Sequence, residues 1–136
     1  MSDNYSLIIK NGSCYIDGKF QKIDLALSGN KIKKVGKIDL NSSKVFDATG
    51  KIVLPGAIDT QVHFREPGAN DAENLESGSR AAVAGGITSV FEMPNTNPPT
   101  SNKKEFQRKL DLAKNRMYSN YAFYFGATAD NADDLA

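Results

Sequence analysis

Leu54-Pro55-Gly56-Ala57-Ile58-Asp59-Thr60-Gln61-Val62-His63-Phe64-Arg65-Glu66-Pro67-Gly68 is the stretch on which the fold turns. On a strand, alternate side chains share a face, so Asp59, Gln61, His63 and Arg65 point one way and Ile58, Thr60, Val62 and Phe64 the other. Polar groups crowd one face. Burying them costs free energy unless a metal, a hydrogen bond or an opposite charge compensates. The C-terminal end of this strand therefore reads as a site. A lone histidine satisfied within a core is the plainer alternative, and the polar neighbours of His63 weigh against it.

Downstream of Pro55-Gly56 the pattern is strand, helix, strand, helix, strand, which is the grammar of a parallel sheet. Asp71 is the expected cap of a helix running to about Ala84, with Gly85-Gly86 as its stop and Ile87 to Met93 as a buried strand. A second helix is expected near Asn102, where Glu105 completes a capping-box-like pair and Phe106, Leu110, Ala113 and Met117 recur at core spacing. Tyr118 to Phe125 reads as a third strand, and Asp130-Asn131 as the opening of a further helix. Upstream, Ser6 to Lys10, Ile23 to Leu27, Lys31 to Val35 and Lys51 to Leu54 read as small antiparallel strands. Asn11-Gly12, Asp17-Gly18 and Gly29-Asn30 supply the positive φ of tight hairpins. Ile23, Leu25 and Leu27 alternate with Asp24 and Ala26, as on a strand with one buried face. The expected division is 1–54 and 55–136.

The fold class is α/β. Two strand-helix units and a third strand do not close an eight-stranded barrel, which takes about 250 residues; if this is barrel grammar, the 136 residues hold only its first part. A small open α/β domain is the alternative, with an exposed parallel edge at its third strand.

Seventeen basic and 16 acidic residues leave a net charge of +1, so no bulk field attracts nucleic acid or an anionic membrane. No apolar run is long enough for a membrane span, and Met1 to Tyr5 lacks the regions of a signal peptide, which makes a cytoplasmic address the expectation. Cys14 is the single cysteine, excluding an intrachain disulfide, and is expected as a small half-buried strand residue. Gly85-Gly86 lacks the pattern of a dinucleotide fingerprint. The aromatics Tyr118, Tyr121, Phe123, Tyr124 and Phe125 have no basic groove beside them and read as strand packing.

Val62-His63-Phe64-Arg65-Glu66-Pro67-Gly68 resembles the signature that follows the first barrel strand of dihydroorotases, members of the amidohydrolase superfamily. Met93-Pro94-Asn95-Thr96 resembles their second signature, at the spacing a strand-helix-strand unit requires. The resemblance implies a TIM-barrel hydrolase whose N-terminal strands form part of a small β-sandwich. It implies that His63 is a metal ligand and that Arg65 and Asn95 bind the carboxylate of dihydroorotate, a division that suits a guanidinium fork and a neutral amide. Gln61 stands where most members carry the first histidine of a His-x-His pair. An amide oxygen is a weaker zinc ligand than imidazole nitrogen, so Gln61 is the lesser candidate, in a centre of one or two Zn2+ ions.

Asp59 would either orient a metal-bound imidazole or serve as a structural acceptor. Glu66 is expected to belong to a loop turn, and Glu92 to an ion pair. The implied reaction is interconversion of N-carbamoyl-L-aspartate and L-dihydroorotate in pyrimidine biosynthesis, with a general base and further ligands beyond these residues. The 136 residues alone are expected to be inactive and poorly stable. Two rival readings stand beside it: an allantoinase or hydantoinase, whose ring offers no carboxylate, and a metal-free scaffold subunit. The resemblance also admits a homo-oligomer and association with aspartate transcarbamoylase.

Overall fold

A computed structural model describes residues 5–39 and 44–132. The chain divides into two compact units, Met1–Pro55 and Gly56–Ala136.

In the first unit the glycine turns decide which strands meet. Asp17 and Gly18 both adopt positive φ (48° and 79°) and join β2 (Ser13–Ile16) to β3 (Lys19–Lys22) as an antiparallel hairpin. Gly29, at φ 58°, does the same between β4 (Asp24–Ser28) and β5 (Lys31–Gly36). Asn11-Gly12 behaves differently from expectation. Asn11 has φ 63°, yet β1 (Leu7–Lys10) does not pair with β2; the turn carries the chain from one sheet into another.

The return segments, β6 (Val45–Asp47) and β7 (Ile52–Val53), then run parallel to β1 and β2. Two mixed sheets result, ordered β5-β4-β1-β6 and β3-β2-β7, in place of purely antiparallel strands. The crossing is tight. A Cβ on Gly12 would lie 2.7 Å from Val53 Cγ2 and 3.1 Å from Ala48 Cβ, so only glycine fits. Asn11 Nδ2 donates to Asp47 Oδ1, and the Asn11 main-chain N–H to Asp24 Oδ1, both at 3.0 Å.

Ile8 and Ala26 pack with Tyr5 and Ile38 in this unit's core. Leu25 and Ala26 are both buried, so β4 is covered on both faces and not on one as its alternation suggested. Cys14 is fully buried, with its thiol donating to Ile23 O at 3.3 Å. Burial, and secondarily the charge of Asp24, pushes its pKa up, which makes it a packed apolar group and not a nucleophile.

In the second unit β8 (Ala57–Val62), β9 (Ile87–Glu92) and β10 (Asn120–Phe123) form a parallel sheet in the order β10-β9-β8. The connections are α1 (Leu75–Ala84) and α2 (Lys103–Ala113). Phe64, Leu75, Val90 and Ala113 form the core, with Val62, Leu112, Met117 and Phe123 packed against it. The cap of α1 is Asn74, not Asp71. Asn74 Oδ1 accepts the Ser77 N–H at 2.9 Å and Ser77 Oγ accepts the Asn74 N–H at 3.1 Å, a reciprocal pair that Asp71 is too far upstream to make. Asn102 caps α2 as expected, accepting the Glu105 N–H at 2.9 Å.

The inner face of α2 holds a surprise: Lys109 is buried as completely as Ala113, whereas Phe106, Leu110 and Met117 are only partly covered. The helix expected at Asp130-Asn131 would run beyond residue 132, outside the described residues. No helix among the described residues is long and apolar enough to cross a membrane.

Candidate active site

The site lies where β8 and β9 end. Asp59 pairs with Val90 and Val62 with Glu92, so β8 carries one extra residue between those points. This irregularity interrupts the strict alternation that would have put Asp59, Gln61 and His63 on one face. Asp59 Oδ1 accepts the main-chain N–H of Gln61 at 3.0 Å, across the irregularity. That contact is a structural one; among the described residues Asp59 has no hydrogen bond to His63. The Gln61 side chain is exposed.

Beyond the strand, two loops clasp each other. The Met93 N–H donates to Val62 O and the Asn97 N–H to Pro67 O, each at 3.0 Å. Gly68, at φ 112°, presses on Asn97 so closely that a Cβ would lie 2.7 Å from its carbonyl oxygen. Arg65 sits at φ 56°, a left-handed conformation that costs a non-glycine residue about 1 kcal/mol or more. It is held there by its neighbours. The Ala69 N–H donates to Arg65 O at 2.9 Å, and Glu66 is locked from below.

Glu66 is more than the loop turn the sequence suggested. Buried at 3% exposure, it accepts the Leu75 N–H at 2.9 Å, adding a carboxylate to the N-terminus of α1. It also takes both terminal nitrogens of Arg116, at 2.9 and 3.2 Å. Burial raises its pKa, but the Arg116 hydrogen bond, the Leu75 N–H and the guanidinium charge outweigh that and hold it below the usual carboxylate range.

Arg65 and Asn95 line one cleft of about 180 Å³, together with Pro67, Gly68, Ala69, Thr96 and Asn97. His63 joins them: its Nδ1 lies 2.9 Å from Asn95 Oδ1. An amide oxygen only accepts, so Nδ1 is the donor in this contact and Nε2 is the ring nitrogen left outside it. The same bond leaves the Asn95 amide N–H groups as donors toward the cleft. His63, Arg65 and Asn95 thus meet, whereas neither Gln61 nor Asp59 is among the residues that line the cleft or bond to His63.

No group of three or more His, Cys, Asp or Glu side chains capable of holding a metal occurs among the described residues. One imidazole nitrogen has the right chemistry for zinc, but a catalytic zinc takes three protein ligands, so the donors here are an incomplete set.

Glu92 is in an ion pair, as expected. Its partner is Lys109, and both side chains are 1% exposed. Lys109 Nζ also donates to Met93 O at 3.2 Å and lies over the Phe123 ring. Helical spacing carried a signal for Lys109, which falls three residues after Phe106 and four before Ala113. Arg116 and Glu66, 50 residues apart, had none.

Residues 50–132 match the family model described as dihydro-orotase-like. The chain belongs to the dihydro-orotase-like family. Among curated relatives of this dihydro-orotase-like chain, a dihydroorotase of Methanosarcina mazei is 41% identical over 90% of this chain and 27% of its own length. An allantoinase of Salmonella choleraesuis is 39% identical over 97% of this chain and 29% of its own length. Among solved structures, the L-hydantoinase from Arthrobacter aurescens superposes with a TM-score of 0.89 at 29% identity, covering 96% of this chain and 30% of that one. The dihydro-orotase-like chain therefore spans less than a third of the length of these relatives, and they name three different cyclic-amide hydrolases.

Proposed function

We propose that these residues supply the substrate clamp of a cyclic-amide hydrolase, and that the whole protein is a dihydroorotase interconverting N-carbamoyl-L-aspartate and L-dihydroorotate. The observation that carries this reading is the shared cleft of Arg65 and Asn95, with His63 bonded to Asn95. A guanidinium and an amide N–H together suit a carboxylate next to a ring. Dihydroorotate has that carboxylate; allantoin and hydantoin do not. Holding it at two points would orient the ring so that its amide carbon meets the reacting groups in one geometry.

We further propose a TIM barrel preceded by a small β-sandwich, with 1–54 and 55–136 as their parts, and Zn2+ as the cofactor. His63 Nε2 would be one ligand, Gln61 a weaker one, and the others would come from outside these residues. When bound, zinc lowers the pKa of water to about 7 and polarises a carbonyl. The residues here bind and orient; none acts as general base, so the 136 residues alone are expected to show no turnover.

The test is ring opening of L-dihydroorotate, allantoin and hydantoin by the whole protein supplied with zinc. Preference for dihydroorotate, abolished by a chelator, supports the reading. Preference for either uncharged ring rejects the clamp assignment, and no turnover with no bound metal favours a scaffold subunit.

A further inference from the structure

The Glu92–Lys109 pair is buried to 1% exposure on both sides, which stability alone does not explain. Apolar side chains of similar volume would fill such a space at equal or better stability, because desolvating two charges costs as much as their attraction returns. The position of the pair is informative. Glu92 ends β9 in register with Val62, the last residue of β8, and the next N–H along, that of Met93, donates to Val62 O at 3.0 Å. Lys109 reaches from α2 to both Glu92 and the carbonyl of Met93, two residues before Asn95. One ion pair thus sits at the end of β9 and grips the main chain where the Asn95 segment begins. Burial raises the pKa of Glu92 and lowers that of Lys109, as for charges withdrawn from water.

We infer that Glu92 and Lys109 are positioning residues that set Asn95 at bonding distance from His63, by fixing Met93 where β9 ends beside Val62 of β8. The inference deepens the proposed function and rests on it for its kinetic consequence only. The geometric consequence is independent: Lys109 anchors the start of the loop that runs from Met93 to Thr100.

The test compares two double variants of the whole protein. Glu92→Met/Lys109→Met removes both charges and the donor to Met93 O; Glu92→Gln/Lys109→Gln removes the charges but keeps a donor. The apolar pair is expected to unfold at the same temperature as the parent or higher. Its KM for L-dihydroorotate is expected to rise roughly tenfold with little change in kcat, and the Gln pair to restore KM to about twofold of the parent, since a displaced binding group weakens ground-state and transition-state binding alike. Amide hydrogen exchange over residues 93–100 should quicken in the apolar pair and return to the parental rate in the Gln pair.

Equal exchange and equal KM in the two variants would overturn the inference. If the parent turns over no dihydroorotate, the functional reading fails and the exchange comparison still decides the positioning role. If the apolar pair does not fold, Glu92→Gln/Lys109→Met replaces it in the same comparison.

Discussion

The two units of this chain bury different kinds of side chain. Every polar or charged side chain that is buried among the described residues, from Glu66, Ser79, Glu92 and Thr100 to Lys109, Ser119 and Asn131, belongs to the second unit. The first unit buries Tyr5, Ile8, Cys14, Leu25, Ala26, Ile38 and Ala48. Its carboxylates work at the surface, where Asp47 is held below its usual pKa by hydrogen bonds from the Asn11 and Thr49 side chains and the Thr49 N–H. Apolar burial and turn geometry suffice to specify a small sheet structure. Buried charge is costly, and the second unit places it under the residues that line its cleft.

That contrast predicts that substitutions separate the units by size of effect. Lys109→Met, which strands Glu92 without its partner, should lower the stability of the second unit by about 3–5 kcal/mol in urea unfolding; a change within 1 kcal/mol, about what an exposed pair contributes, would erase the contrast. Gly68→Ala should cost about 2 kcal/mol, because the new methyl meets Asn97 at a φ of 112°.

Glu66→Gln should cost about 1.5 kcal/mol near neutral pH, the worth of a hydrogen bond to a charged group. The sign with pH follows from its lowered pKa. Glu66 contributes fully above the ordinary carboxylate value of 4.5 and loses that contribution as pH falls through its lower folded value. Parent and variant should therefore converge on acidification, which urea midpoints across pH would reveal. Gly18→Ala should cost least, about 1 kcal/mol from the backbone alone, since nothing lies within 4 Å of the new methyl. A larger loss from Gly18→Ala than from Gly68→Ala would reverse the comparison.

Much of the second unit was legible in the sequence because period-two and period-3.6 patterns separate strands from helices. His63 stood out as a polar residue on a buried strand, whereas Arg65 and Asn95 were assigned through the resemblance of their two segments to paired signatures; a strand-helix-strand unit brings the ends of those segments side by side. The choice of Asn74 over Asp71 was not, since either residue type caps a helix and Ser77 and Glu66 make the selection. Neither was the bond between His63 and Asn95, which depends on how the loops clasp. In the first unit Asp17-Gly18 announced its hairpin through local φ demands. The parallel pairing of β1 with β6 is set by contacts across more than 30 residues, and no local pattern encodes it. The extra residue in β8 escaped for the same reason: a bulge is defined by its partner strand.

The central claim is that Arg65 reads a carboxylate. The most direct measurement is the ratio of kcat/KM for L-dihydroorotate to that for the same ring without its carboxylate, in the whole protein and in Arg65→Ala. A preference that falls by about 100-fold in the variant, the worth of a strong charge-assisted hydrogen bond, is the predicted result. A preference that Arg65→Ala leaves unchanged would contradict it.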